Sequence, residues 1–497
     1  MAEMVEKIWQ RIVELSKNEK LIFMICLLVL LYIPLRISAY NYTPRDDIRR
    51  HVAKVVSGRD WPDILVMRDE FQTQDHNAGW HTILGFFHSL GLEKESLLLL
   101  SLFGLFWSLA IAGLFIHRHR PLAWVASLFC MLLVSSPQRW MLGRPYILSS
   151  AVLLILLALW KAEQADSDRK RIFITAGLIA VAGWVHGAWY LFVLLPICLV
   201  MAGRIKCALA ASLGWLGGSL IAGMLTGHPF QYLVLQVSQT LASTGSAPVQ
   251  RLLVGEFLSQ INITAIIVLA FIVGIASLAK LPATIILRNP AFWLTLTGWI
   301  LGTINGRFWM DWGTIAMLCL TAQVFAELWQ KYQHRLGVYR PASIALIIIG
   351  FFFAFTADSG SRWSNSEFDD PLRIEDPAHE GWLPDAGGIL YSDSMTLYYD
   401  TFLANPDGPW RYILGHEPAL MPEDDLQTLR QIQLYNYTLD HLYNDWIKKM
   451  TLADRLILKR PPKQQPEIPE LEWKYVAYFT WSGRLPRIPE TTIEANP

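Results

Sequence analysis

The chain has 497 residues, 53% of them hydrophobic and 17% charged, and its 42 Lys plus Arg balance 42 Asp plus Glu. Soluble domains carry about 25% charged residues, so the deficit points to a membrane protein, and a net charge of zero gives nucleic acid no electrostatic reason to bind. Cys26, Cys130, Cys198, Cys207 and Cys319 all lie in or beside apolar runs, which excludes a disulfide framework in the polar C-terminal part and offers no zinc-type spacing.

A Lys- and Glu-bearing amphipathic stretch comes first, with no small-residue cleavage site after it, so the run Leu21 to Tyr40 is expected to be an uncleaved first span. Apolar runs predict about eleven spans, near 21–39, 95–116, 121–137, 145–161, 171–185, 188–203, 207–226, 262–281, 290–305, 312–329 and 341–357. The 21 tryptophans suit aromatic belts at both membrane surfaces. Lys7, Arg11, Lys17 and Lys20, His117 to Arg120, Arg169 to Arg171, Arg204 to Lys206, Lys280 to Arg288 and Lys331 to Arg340 all fall on one face. By the positive-inside rule that face is cytoplasmic, and everything after residue 358 is extracytoplasmic.

The first external loop, 40–94, reads as two interfacial helices, Asp46 to Val56 and His76 to Leu90, separated by a Gly58-Arg-Asp-Trp-Pro62 turn and a strand-like Ile64 to Met67. After a polar linker at 358–384, residues 385–497 alternate between strands and helices. The strands are 388–391, 410–414, 455–459 and 474–479, and the helices are 423–435 and 437–450. The fold class is an α-helical polytopic membrane domain, 1–357, followed by a small extracytoplasmic α/β domain.

Asp46 and Asp47 stand at a membrane surface just beyond the first span. Neighbouring carboxylates raise one another's pKa, and one of them can act as a general base or bind a divalent cation; either can instead cap the helix that follows. Arg307, at the external end of a span, suits a lipid phosphate, unless Asp311 satisfies it internally. Arg144, between Gly143 and Pro145, shares that face, and Arg139 reads as a headgroup-level residue. His186 lies among aromatics at a turn between two short spans. Asp75, His76, Asn77, Trp80 and His81 form a polar cluster before the second interfacial helix, suited to sugar hydroxyls, with Trp61 nearby to stack on a ring. The His76–His81 spacing is too loose for one helical face, which makes a metal site weak. No phosphate-binding glycine loop or nucleophile elbow occurs, and acids are nearly absent from span interiors, which disfavours a nucleotide-driven pump, a serine hydrolase and an ion channel.

Together, the Asp46-Asp47 pair beyond the first span, His76-Asn-Ala-Gly-Trp80, Gly143-Arg-Pro145, Arg307-Phe-Trp309 and the C-terminal α/β part resemble the GT-C superfamily of membrane glycosyltransferases. The resemblance implies transfer of a sugar from a polyprenyl-phosphate donor to a saccharide, lipid or protein acceptor at the extracytoplasmic face, with inversion. Asp46 or Asp47 would activate the acceptor, and Arg307 and Arg144 would hold the departing phosphate. Asp75, His76, Asn77, Trp80, His81 and His186 would line the substrate site, and no metal or other cofactor is expected. The donor tail would lie between spans near Arg307, and Trp410, Tyr412 and Trp481 would offer stacking surfaces to an acceptor. A bacterial inner membrane fits, although Asn-X-Thr triplets at Asn41, Asn262 and Asn436 fit an endoplasmic reticulum protein equally. The rival classes are a lipid-linked glycan transporter or flippase, an O-antigen-type polymerase or ligase, and a non-catalytic scaffold.

Overall fold

The computed structural model describes residues 2–69, 75–134, 137–161, 168–244, 256, 258–356, 363–365, 370–415, 417–435 and 437–487. The chain is mostly helical, with a small sheet at its C-terminal end. An amphipathic helix α1 (Ala2–Leu15) leads into α2 (Glu19–Ser38), whose first turn is capped by Asn18. The first loop contains β1 (Tyr42–Pro44), α3 (Asp47–Ser57), the single turn α4 (Trp61–Ile64) and α5 (Ala78–Ser89). The helical body continues through α6 (Lys94–Ile116), α7 (Pro121–Met131), α8 (Tyr146–Lys161), α9 (Asp168–His186), α10 (Leu194–Met201), α11 (Ile205–Leu225), α12 (Pro229–Thr244), α13 (Ile263–Leu278), the turn α14 (Thr284–Leu287), α15 (Pro290–Gly302), α16 (Thr314–Leu336) and α17 (Arg340–Thr356).

Every apolar run named from the sequence contains a helix, but among the described residues only five helical segments are long and apolar enough to cross a bilayer: Glu19–Ser38, Lys94–Ile116, Ile205–Leu225, Phe308–Arg335 and Gly337–Thr356. The other six have 19 residues or fewer, so eleven crossings is more than these lengths establish. Helix α11 shows both faces of such an element. Leu209, Leu213, Leu216, Leu220 and Met224 are exposed apolar residues, as on a helix facing lipid. On its other side Gly214 and Gly218, four residues apart, let α9 approach so closely that a Cβ on Gly218 would lie 2.6 Å from the Ala176 carbonyl oxygen.

The C-terminal part holds α18 (Met395–Ala404), α19 (Glu423–Leu434) and the turn α20 (Asn444–Ile447) around five strands, β3 (Ile389–Tyr391), β4 (Arg411–Tyr412), β5 (Arg455–Lys459), β6 (Glu472–Ala477) and β7 (Thr480–Arg484). The spatial order is β4-β3-β5-β7-β6, with β3 parallel to β4 and β5, and β7 antiparallel to β5 and β6. Alternation along β5 sends Ile457 to one face and Leu456 and Leu458 to the other. The first face packs on α18 and on Trp61, Ile64 and Leu65 of the first loop; the second packs on α19 and α20.

The sheet is thereby docked on the first loop. β1 pairs antiparallel with β2 (Trp363–Asn365), within the stretch read as a linker, and Leu65 bridges to Tyr412. Arg49 reaches Asp400 of α18 at 2.6 Å, Arg45 pairs with the same carboxylate, and Arg59 and Arg68 donate to the Gly408 and Met421 carbonyls.

Several expectations change here. Residues 48–53 of α3 are all buried, so this helix is an internal element rather than one lying on a membrane surface. The strand expected at 64–67 is a single bridge, and the helix expected at 437–450 shrinks to a 3₁₀ turn at Asp440–Tyr443 followed by α20. Trp410, Tyr412 and Trp481 are core residues and not stacking platforms, as is Trp61. Asn436 lies outside the described residues.

Candidate active site

Helix α3 begins at an aspartate because the side chain of Asp46 accepts the backbone N–H of Asp47 at 2.7 Å, and it ends at Gly58, where φ is +60°. This fixes the two acids in different roles. Asp46 is 3% exposed and also accepts from Arg144 Nε at 2.5 Å. Asp47, one step further round, faces a cavity of about 500 Å³ whose wall also includes Arg50, His51, His76, Asn77, Arg139, Arg144, Tyr146, His186, Arg307 and Asp311, with Leu153, Leu191, Val237, Leu241, Ile304 and Phe308 making its apolar part.

Arg144 reaches both acids because Gly143 precedes it. With φ +65° and no side chain, Gly143 lets Ile48 of α3 close in; a Cβ there would lie 2.2 Å from Ile48 Cδ1. Glu256 sits opposite. It accepts from Arg139 Nη1 at 2.8 Å, Arg144 Nη1 at 3.0 Å and Arg307 Nη2 at 3.3 Å. Arg139 also donates to Asp311, from Nε at 3.1 Å and Nη2 at 2.9 Å, and Asp47 Oδ1 accepts from Arg50 Nε at 3.0 Å and the Tyr399 hydroxyl at 2.7 Å. Asp46, Asp47, Glu256 and Asp311 thus face Arg50, Arg139, Arg144 and Arg307, four charges of each sign. Arg307 is the most open of these arginines, its side chain 38% exposed.

Asp47 is not raised here. Burial alone would push Asp47 up, but the charges of Arg50 and Arg144 and the Tyr399 hydrogen bond outweigh it and hold the carboxyl well below its usual range. For Glu256, burial again acts upward, and Arg144, Arg139 and Arg307 carry it well down. Burial and the Asp47 charge keep Tyr399 a protonated donor, its pKa well above the ordinary phenol value.

The other expected residues divide into two groups. His76 and His186 meet at the cavity wall, ring centroids 6.1 Å apart and nearly perpendicular, and Asn77 lies beside them. His81 points elsewhere: its Nδ1 pairs with Asp75 and its Nε2 lies 2.8 Å from His51 Nδ1. Trp80 is a core residue, 6% exposed, and does not line the cavity. Arg139 is buried in the ion network, where Asp311 pairs with it. No protein-family model matches the chain, and no curated protein matches it. The site therefore has to be read from its own chemistry.

Sequence reasoning missed Glu256, Arg50, His51 and Tyr399. Glu256 gave little signal, an isolated acid between the apolar runs 207–226 and 262–281. Arg50 and His51 were legible in principle, because they lie three and four residues after Asp47 and so share its helical face. Tyr399 comes from α18, whose sequence carries no strong helical period.

Proposed function

We propose that this protein is a membrane glycosyltransferase of GT-C type that moves a sugar from a polyprenyl-phosphate donor to a glycan, lipid or protein acceptor at the extracytoplasmic face, most simply of a bacterial inner membrane. The observation that carries the reading is the cavity itself. An ionised carboxylate, Asp47, and the guanidiniums of Arg144, Arg139 and Arg307 share one chamber with an apolar wall of Leu241, Ile304 and Phe308. A ligand matching it is an amphiphile with an anionic head. Its volume falls in the range of small-molecule sites, roughly 300–1,000 Å³, which is room for a sugar phosphate and the start of a lipid tail.

In this reading the donor's phosphate lies against Arg307 and Arg144, which hold charge as it grows on the leaving oxygen. Asp47 accepts a hydrogen bond from the acceptor hydroxyl and orients it for attack on the anomeric carbon from the side opposite the phosphate, with inversion. Asp46 acts through Arg144 and is not itself the base. His76, Asn77 and His186 bind sugar hydroxyls.

The test is release of polyprenyl phosphate by the purified protein in detergent, from a panel of radiolabelled polyprenyl-phosphate sugars, with Asp47→Asn and Arg307→Ala beside wild type. Donor consumption that Asp47→Asn abolishes in a folded protein supports the enzyme. Consumption unaffected by Asp47→Asn removes that residue from the mechanism, and no consumption at all returns the field to a transporter or a scaffold.

A further inference from the structure

We propose that His51, His81 and Asp75 form a proton relay in which His51 takes the acceptor's proton and His81 and Asp75 carry its charge away from the cavity. The proposal rests on the transferase reading above.

The three residues come from separate places and converge. His51 lies on α3 one turn after Asp47, His81 lies on α5, and Asp75 precedes α5. The pairing of α3 with α5 holds the two rings 5.0 Å apart, centroid to centroid. Gly79 makes that position of α5 possible, because a Cβ there would meet the Trp184 ring at 2.4 Å.

Hydrogen-bond logic then orders the protons. The carboxylate of Asp75 only accepts, and it is held by the Asn77 backbone N–H at 3.0 Å as well as by His81 Nδ1. His81 Nδ1 therefore carries a hydrogen, and in the neutral ring Nε2 is the acceptor. That nitrogen lies 2.8 Å from His51 Nδ1, which must then be the donor. The basic nitrogen of neutral His51 is consequently Nε2, and the His51 ring forms part of the cavity wall.

Exposure runs in the same direction. His51 is 1% exposed, the His81 side chain 9% and the Asp75 side chain 25%. The chain of groups runs from the cavity wall towards water. The other titratable and charged groups around it include Asp47 and Arg50 on α3, Arg144, Tyr399 of α18, Tyr232 of α12 beside Asp75, and His76 and His186 on the same cavity wall. Asp47 is tied to both arginines and to the Tyr399 hydroxyl, which makes it an orienting anion and a poor proton acceptor.

The step balances as follows. The acceptor oxygen's lone pair forms the new bond to the anomeric carbon, and the bond from that carbon to the phosphate oxygen breaks with its electrons on the phosphate. The hydroxyl proton passes to His51 Nε2, and the His51 Nδ1 proton passes to His81 Nε2. The cation so formed on His81 is opposed by the Asp75 carboxylate, which stays ionised. The Nδ1 proton of His81 is then lost to water beside Asp75, turning of the two rings restores the starting tautomers, and the product phosphate keeps its additional negative charge against the arginines.

The experiment measures kcat and KM across pH for wild type, His51→Gln, His81→Gln, Asp75→Asn and Asp75→Glu, using release of polyprenyl phosphate from the radiolabelled panel, with water or a saccharide as acceptor. The relay requires His51→Gln to lose at least about 100-fold in kcat. It also requires Asp75→Asn to lower kcat with KM held, and to move the acid limb of the profile to lower pH, because the imidazolium has lost its counter-ion; Asp75→Glu restores part of both. His81→Gln gives an independent break in the chain should Asp75→Asn not fold. Transfer by wild type with an acid limb that neither break moves overturns the relay and leaves the transferase standing. A wild type that consumes no donor overturns both.

Discussion

Glu256→Gln separates an anion site from a merely structural ion network. Glu256 is 8% exposed at its side chain and is shared by three arginines. Breaking an isolated buried pair costs about 3–5 kcal/mol, because it strands a charge. Here Arg139 keeps Asp311 at 2.9 Å, Arg144 keeps Asp46 at 2.5 Å, and Arg307 is partly in solvent. The loss should therefore be nearer that of charge-assisted hydrogen bonds, about 1.5–3 kcal/mol, read as a lower unfolding midpoint in detergent. Ligand binding moves the other way. The cavity gains one net positive charge, worth at most ~4 kcal/mol for an anion about 4 Å away at an effective dielectric near 20. With greater separation and water in the cavity, ~1–2 kcal/mol remains, a gain of roughly 5- to 30-fold in affinity for polyprenyl phosphate. Titration of polyprenyl phosphate into both proteins by calorimetry checks this, and turnover should fall because product leaves slowly. Unchanged or weaker binding in a folded Glu256→Gln protein would refute the assignment of these arginines to an anionic head.

Acid stability follows from the same network. The folded pKa values of Asp47 and Glu256 are depressed, so their stabilisation is complete above the unfolded values, about 3.9 and 4.3, and is lost as pH falls through the folded ones. The unfolding midpoint is expected to be flat from neutral pH to about 5 and to drop below it, with a shallower drop in Glu256→Gln. Asp400→Ala takes the carboxylate from Arg49, which is 4% exposed and keeps the Pro44 carbonyl and the Thr43 hydroxyl, and should cost about 1.5–3 kcal/mol; limited proteolysis should then cut more readily between the helical part and the sheet. Gly143→Ala forces a left-handed backbone position and a collision with Ile48, so about 1–3 kcal/mol of stability and most transfer activity should go together, measured by thermal melting and donor release.

The helical part was legible because lipid-facing helices are apolar at nearly every position, a signal that survives without knowledge of packing. Length is where that signal stopped: runs such as 121–137 are interrupted, and the helix there ends at Met131. The small sheet was read well where strands are continuous, as at Arg455 to Lys459, whereas β7 was missed because Thr480-Trp-Ser-Gly-Arg484 has a polar, glycine-bearing sequence whose strand state depends on pairing with β5 and β6. In the site, Asp47, Arg144 and Arg307 could be proposed because charge at a membrane surface is costly and conspicuous. Their partners could not. Glu256 joins Arg144 across 112 residues and Tyr399 joins Asp47 across 352, and no local pattern encodes such a pairing. The division between Asp46 and Asp47 also needed the structure, since either acid could have served as the cap.

Arg307 shows how a site whose arginines are already paired can still receive an anion. Every guanidinium in the cavity already faces a carboxylate, so a phosphate must share or displace one, and the smallest loss is at the pair whose arginine is most solvated. That pair is Arg307 with Glu256, at 3.3 Å and 38% exposed on the arginine side. An exposed pair of this kind contributes at most about 1 kcal/mol to stability, and Glu256 would keep Arg139 and Arg144. Arg307→Ala should therefore melt within a few degrees of wild type, while removal of a charge-assisted contact of ~1.5–3 kcal/mol to the phosphate raises KM for the donor roughly 10- to 150-fold. Arg144→Ala should do the reverse in stability, because Asp46, Asp47 and Glu256 would all lose the cation between them. If Arg307→Ala unfolds the protein while Arg144→Ala spares it, the donor head does not enter at Arg307, and the apolar wall of Ile304 and Phe308 beside it has some other use.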